Sequence, residues 1–115
     1  MKHVTFAEKS LLMGDEVADT LLEYARVLAL SSLADTVTIQ AIGMDGNTVD
    51  VAFLLNATSD MVVESTNSSV EPPDNEEAVR YMQERIDRLA NPRLAEAESA
   101  DQVFRHEDID LPKGK

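Results

Sequence analysis

The stretch that decides the fold is Val37-Thr-Ile-Gln-Ala-Ile-Gly-Met-Asp-Gly-Asn-Thr-Val-Asp-Val-Ala-Phe-Leu-Leu55, whose pattern is typical of a β-hairpin. A two-residue Asp-Gly loop would place Gln40 opposite Val51 and mix polar with apolar side chains. A three-residue loop ending in a left-handed Gly46, as in a G1 bulge, avoids this mismatch. The predicted apolar face then pairs Val37 with Phe53, Ile39 with Val51 and Ala41 with Val49, and the polar face pairs Thr38 with Ala52, Gln40 with Asp50 and Ile42 with Thr48.

A third strand is predicted at Met61-Val-Val-Glu-Ser65, after the turn-rich linker Asn56–Asp60. Placing Leu55 opposite Met61 extends the apolar face of the hairpin and makes Leu54 and Val62 neighbours on the outer face. The result is a three-stranded antiparallel meander. A sheet with one apolar face needs other elements packed against that face.

Two helices are predicted to cover the sheet, so the fold class is α+β. The first spans Asp15 to Leu30, with Asp15 as N-cap and an apolar stripe at helical spacing. The second runs from Asn75 to about Ala90, after Pro72-Pro73, and Asp74 or Asn75 can cap it. The two stripes are Val17, Leu21, Tyr24 and Leu28 in the first helix and Val79, Met82, Ile86 and Leu89 in the second.

The N-terminal segment allows two interpretations. Thr5 and Glu8 have the spacing of a capping box, which would permit one long helix from Phe6. Gly14 favours a break instead, with Ser10–Met13 forming a short apolar strand or turn. We favour the break, and such a strand would be a fourth member of the sheet.

The chain has 115 residues, which we divide into a single α+β domain at 1–90 and a tail at 91–115. The tail lacks periodicity and ends in turn-forming residues, so we expect it to be weakly structured or disordered, acidic and mobile. The longest apolar run, Val51–Leu55, is far shorter than a membrane span. We therefore expect a cytoplasmic protein with no membrane partner.

The net charge is −12, and Val27 to Val79 contains no Lys or Arg. We infer a sheet free of positive charge, which argues against nucleic acid as a partner because phosphate contacts need Lys or Arg. Acidity of this kind is typical of a solvated surface. The alternative is an acidic mimic of nucleic acid that occupies a nucleic-acid-binding protein.

No catalytic, cofactor-binding or metal-binding constellation is predicted. Cysteine is absent, and His3 and His106 lie near the ends of the chain without a partner at metal-ligand spacing. Asp45 to Asp50 lacks the Gly at the sixth position that a calcium-binding EF-hand loop requires. Tyr24 and Tyr81 are interpreted as residues at the edge of the core.

The sequence alone does not establish a function. Our leading hypothesis is a non-enzymatic protein-interaction or regulatory module that forms a homodimer. The first alternative is a small-ligand-binding protein or enzyme with a pocket between helices and sheet, beneath Phe53. The second is the acidic mimic. The candidate interface consists of apolar residues beyond the predicted core: Val27, Leu30, Leu33, Ile42, Ala52, Leu54 and Val62.

Overall fold

The computed structural model describes residues 1–90, which form an α+β fold with a five-stranded antiparallel sheet and two helices. The strand order across the sheet is β4-β3-β2-β1-β5. The elements in chain order are β1 (Lys2–Phe6), β2 (Lys9–Met13), α1 (Asp15–Leu30), β3 (Asp35–Ile42), β4 (Thr48–Leu55), β5 (Met61–Ser65) and α2 (Glu76–Ala90).

The predicted register of the β3–β4 hairpin is confirmed. Val37 lies opposite Phe53 and Gln40 opposite Asp50, as do all the other predicted pairs. The N–H of Gly43 donates to the carbonyl of Asn47 at 2.9 Å, so the loop between them has three residues. Gly46 has a φ of +86°, the left-handed conformation that the bulge requires.

The predicted meander is wrong, because β5 pairs with β1 rather than with β4. Val4 lies between Leu11 of β2 and Val63 of β5 and is completely buried. The pairing therefore places β1 in the interior of the sheet and leaves β4 and β5 as its two edges. The linker between these strands is held at Asp60, whose carbonyl accepts the N–H of Ala7 at 3.1 Å.

The N-terminal segment forms a hairpin of β1 and β2. The predicted break at Gly14 and the extra strand ending at Met13 are confirmed, and the alternative of one long helix is wrong. The strand Lys2–Phe6 was not predicted, because Thr5 and Glu8 matched a capping box. At the centre of the sheet, β2 and β3 are joined through a single residue pair, Leu12 and Ile42.

Both helices have nearly the predicted bounds, although one cap differs. Gly14, not Asp15, is the N-cap of α1, and its carbonyl accepts the N–H of Ala18 at 3.0 Å. Asp74 caps α2 by accepting the N–H of Glu76 at 3.0 Å. The early carboxylates, Glu76 among them, still interact favourably with the helix dipoles.

One continuous core joins α1, α2 and the inward-facing strand residues. The sheet curls enough for Phe53 of β4 to contact Phe6 of β1 edge-to-face, with ring centroids 5.3 Å apart. Met82 and Ile86 bring α2 into the same core. The buried apolar residues are Val4, Leu11, Met13, Val17, Ala18, Leu21, Tyr24, Ala25, Val27, Leu28, Val37, Ile39, Ala41, Phe53, Leu55, Met82 and Ile86.

The expectation of a sheet without positive charge is wrong. The sheet is not free of positive charge, because β1 and β2 carry Lys2 and Lys9; only β3, β4 and β5 lack Lys and Arg. The predicted tail at 91–115 lies outside the described residues. Within residues 1–90, neither helix has the length and apolar character needed to cross a membrane.

Gly46 provides a test of the hairpin register. A Cβ at this position would meet no atom within 4 Å, so any cost of substitution comes from the positive φ alone. We expect Gly46→Val to lower the free energy of unfolding by about 1 kcal/mol or more, and Gly46→Asn to cost less. Urea melts of both variants measure the difference. Equal and negligible losses would contradict the bulge.

Candidate functional site

The most concentrated group of polar contacts joins Tyr24 of α1, Asp35 of β3, and Tyr81 and Arg85 of α2. Both tyrosine hydroxyls donate to Oδ2 of Asp35 at 2.5 Å, and Oδ1 of Asp35 accepts the N–H of Thr36 at 2.8 Å. Nε of Arg85 donates to the hydroxyl of Tyr24 at 2.9 Å. We call Tyr24, Asp35, Tyr81 and Arg85 the tyrosine–aspartate cluster.

The electrostatics of this cluster hold each group in its ordinary charge state. Burial opposes ionisation of Asp35, but the hydrogen bonds from Tyr24 and Tyr81 outweigh it and lower the pKa of the carboxyl group. Burial, reinforced by Asp35, raises the pKa of the Tyr24 hydroxyl. The hydrogen bond to Asp35 raises that of Tyr81. At neutral pH the cluster is one carboxylate, two neutral phenols and one guanidinium.

This arrangement is suited to holding elements together rather than to chemistry. Both oxygens of Asp35 already accept hydrogen bonds, so the carboxylate has little capacity to accept a proton from a substrate. A phenol whose pKa is raised is a poor base or nucleophile. The cluster instead ties α1 and α2 to the first residue of β3, where the sheet has no paired neighbour on the β2 side.

Beneath Phe53, where the alternative hypothesis places a ligand pocket, the ring of Phe6 packs edge-to-face against Phe53. The ligand pocket stays a prediction. Grooves do occur on the surface, one of them between α1 and the β4–β5 linker, lined by Leu22, Arg26 and Met61. Arg26 is already paired with Glu23 at 2.6 Å. Within residues 1–90, no three His, Asp or Glu side chains converge to hold a metal ion.

Hydrogen bonds of the neighbouring strand β3 show which backbone groups of β4 point away from β3. Gln40 of β3 donates its N–H to Oδ1 of Asn75 at 2.8 Å, and its carbonyl accepts from Nδ2 of Asn75 at 2.7 Å. Both backbone groups of Gln40 therefore point away from β4, so Gln40 and Asp50 are a non-hydrogen-bonded pair. It follows that the outward-facing backbone groups of β4 belong to Thr48, Asp50, Ala52 and Leu54.

The two outer sides of the β3–β4 hairpin differ in whether their backbone groups have hydrogen-bond partners. The outer side of β3 is closed at Ile42 by its pairing with Leu12, and at Gln40 by the amide of Asn75, which acts as a short substitute for a strand. Among residues 1–90, no hydrogen bond reaches the outward-facing backbone groups of β4. An unpaired row of donors and acceptors is thus exposed along one edge of the sheet.

The composition of β4 does not protect this edge. Edge strands are usually short, or carry Lys, Pro or a bulge that prevents another strand from pairing. In contrast, β4 has eight residues, Thr-Val-Asp-Val-Ala-Phe-Leu-Leu, with neither Pro nor Lys. The other edge strand, β5, is shorter, with five residues, and each edge strand carries one acidic residue, Asp50 in β4 and Glu64 in β5. We therefore call β4 the open edge.

The structure does not bring the predicted interface residues together in one patch. Val27 is buried in the core at 4% exposure, whereas Leu30 is 74% exposed at the end of α1. Leu54 and Val62, expected to be neighbours, lie on opposite edge strands of the sheet. Of the remaining residues, Leu33 follows α1 and is exposed, Ile42 is half-buried on β3, and Ala52 is exposed on β4 beside Leu54. The homodimer interface stays a prediction.

Sequence reasoning missed Asp35, Asn75 as a strand substitute, and Arg85. The available signal was Tyr24, because a tyrosine on a buried helical stripe needs a partner for its hydroxyl. Its partners lie 11 and 61 residues away, at distances along the chain that local patterns do not encode.

The tyrosine–aspartate cluster predicts a specific dependence of stability on pH. We expect Asp35→Asn to lower the free energy of unfolding at neutral pH by about 1.5–3 kcal/mol, the usual cost of losing hydrogen bonds to a charged group. Because the pKa of Asp35 is lower in the folded chain, the unfolded chain binds the proton first as pH falls. The difference between wild type and variant should thus be full above about pH 4 and shrink below it.

Urea melts at several pH values measure this difference, and Asp60→Asn is the control because it removes the same charge from an exposed side chain outside the cluster. The chain has two tyrosines, both in the cluster, and no tryptophan, so near-ultraviolet circular dichroism reports its integrity. An Asp35→Asn variant as stable as the control at neutral pH would contradict the role assigned to the cluster.

Comparison of the chain with models of protein families, with curated proteins and with solved structures finds no match. Two features of the described residues bear on function: the tyrosine–aspartate cluster and the open edge of β4.

Proposed function

We propose that this chain is a non-enzymatic protein-interaction module that accepts a strand from another polypeptide along the open edge of β4. The observation that supports the proposal is the row of outward-facing backbone groups at Thr48, Asp50, Ala52 and Leu54, unpaired among residues 1–90. An extended segment placed beside them would form main-chain hydrogen bonds, which is the basis of recognition by strand addition.

The side chains around this edge also suit an added strand. Val51 is half-buried and Phe53 is buried on the inner face, so the rim of the core reaches the edge. Ala52 and Leu54 are exposed on the outer face, and Ala52 is small enough to leave room for a neighbouring side chain. A partner strand would thus gain apolar contacts on both faces.

The enzymatic alternative has less support. The side chains of the tyrosine–aspartate cluster are engaged in hydrogen bonds with one another, and Phe6 packs against Phe53. A homodimer belongs within the proposal, because a second copy of the chain is one polypeptide that can supply the added strand.

Ala52→Pro tests the proposal. The substitution removes an outward-facing N–H that makes no bond within the sheet, and proline is tolerated on edge strands at such positions. We expect the variant to keep a melting temperature close to that of the wild type but to lose association with other chains. Analytical ultracentrifugation measures self-association, and affinity capture from a cell extract compares the proteins retained by each variant.

Two variants serve as controls. Ala52→Ser keeps the N–H and should associate as the wild type does. Val51→Pro removes an inward-facing N–H that bonds to β3, so it should destabilise the fold by about 1–3 kcal/mol. The proposal fails if wild type, Ala52→Ser and Ala52→Pro show the same associations, or if none of them associates with any chain.

A further inference from the structure

We infer that the strand accepted at the open edge comes from a cationic, extended segment of another protein. This inference rests on the proposed function and adds the chemistry of the partner.

The outer face of β3 and β4 carries no positive charge, and Lys9 of β2 shares a groove with Val49 at the start of β4. Strands β3 and β4 contain no Lys or Arg, and Asp50 is the one charged residue of β4. Beside it lies a groove that Asp50 shares with Glu76 and Glu77 at the start of α2. The one cation in that groove, Arg80, is placed 3.8 Å from Glu76 and so is already engaged.

A second copy of the chain would meet this charge with more of the same. In an antiparallel pair of β4 strands centred on Ala52, Asp50 would lie opposite Leu54 of the other copy. Centred on Val51, Asp50 would lie opposite Ala52 and diagonal to the other Asp50. No register places a cation beside Asp50, because β4 has none. Two chains of net charge −12 also repel each other.

A strand that carries Lys or Arg at alternate positions would match both the unpaired backbone groups of β4 and the negative charge of Asp50. Its main chain would pair with the outward-facing groups of Ala52 and Leu54. Its cationic side chains, projecting on the outer face, would lie opposite or diagonal to Asp50. Complementary charge also raises the rate of encounter at low salt.

The two occupants differ in the sign of their salt dependence. Attraction to a cationic strand weakens as salt is added, because the Debye length falls to about 10 Å at 0.1 M. Association of two acidic copies strengthens under the same change, because repulsion is screened. Salt dependence thus identifies which occupant the edge prefers.

The experiment uses the full chain and three fluorescent peptides of equal length: one alternating Lys and Val, the same peptide with a central Pro, and one alternating Glu and Val. Anisotropy titrations measure binding at low and high salt. We expect the Lys–Val peptide to bind at least about tenfold more tightly than the other two and to weaken as salt rises. Ala52→Pro should abolish this binding, and Asp50→Asn should weaken it without changing the melting temperature.

Each other outcome has a definite meaning. Equal binding of both cationic peptides, unaffected by Ala52→Pro, would show charge attraction without strand addition and overturn the inference. Self-association that strengthens with salt and is lost in Ala52→Pro, without binding of the Lys–Val peptide, would overturn the inference but leave the proposed function standing. Absence of both peptide binding and self-association would overturn the inference, and the proposed function would fail as well if no chain were retained from the cell extract.

Discussion

The structure depends first on the three-residue loop Met44-Asp45-Gly46. Gly46 adopts a positive φ, and the loop fixes which residues of β3 and β4 lie opposite each other. A register shifted by one residue would turn Phe53 out of the core if Ile39 stayed in it. The same constraint decides which N–H groups of β4 bond to β3 and which point away from the sheet.

The long-range pairing of β1 with β5 determines what that register exposes. Because β5 joins the far side of the sheet, β4 becomes an edge strand although it is apolar enough to be an interior one. Asn75 occupies the outer side of β3 at Gln40. Asp35, the first residue of β3, accepts hydrogen bonds from both helices. Side chains of both helices and of Asn75 thus bind β3, whereas the outward-facing backbone groups of β4 have no partner among residues 1–90.

Sequence reasoning succeeded where the information was local. The β3–β4 register followed from alternation and turn chemistry, and the bounds of α1 from helical periodicity and Gly14. It failed where pairing joins distant segments. Nothing local in Met61–Ser65 distinguishes β1 from β4 as a partner, and the N-terminal strand β1 was hidden by a chance capping-box spacing. The tyrosine–aspartate cluster was missed for the same reason, since Asp35 and Arg85 are ordinary surface residue types until the fold brings them together.

Hydrogen exchange of the β4 amides, measured by NMR at a concentration where the chain is monomeric, tests the central claim most directly. The open edge predicts an alternating pattern: slow exchange at Val49, Val51, Phe53 and Leu55, whose N–H groups bond to β3, and fast exchange at Asp50, Ala52 and Leu54. Protection of all these amides alike would mean that a second strand of the same chain covers β4. That result would contradict the account.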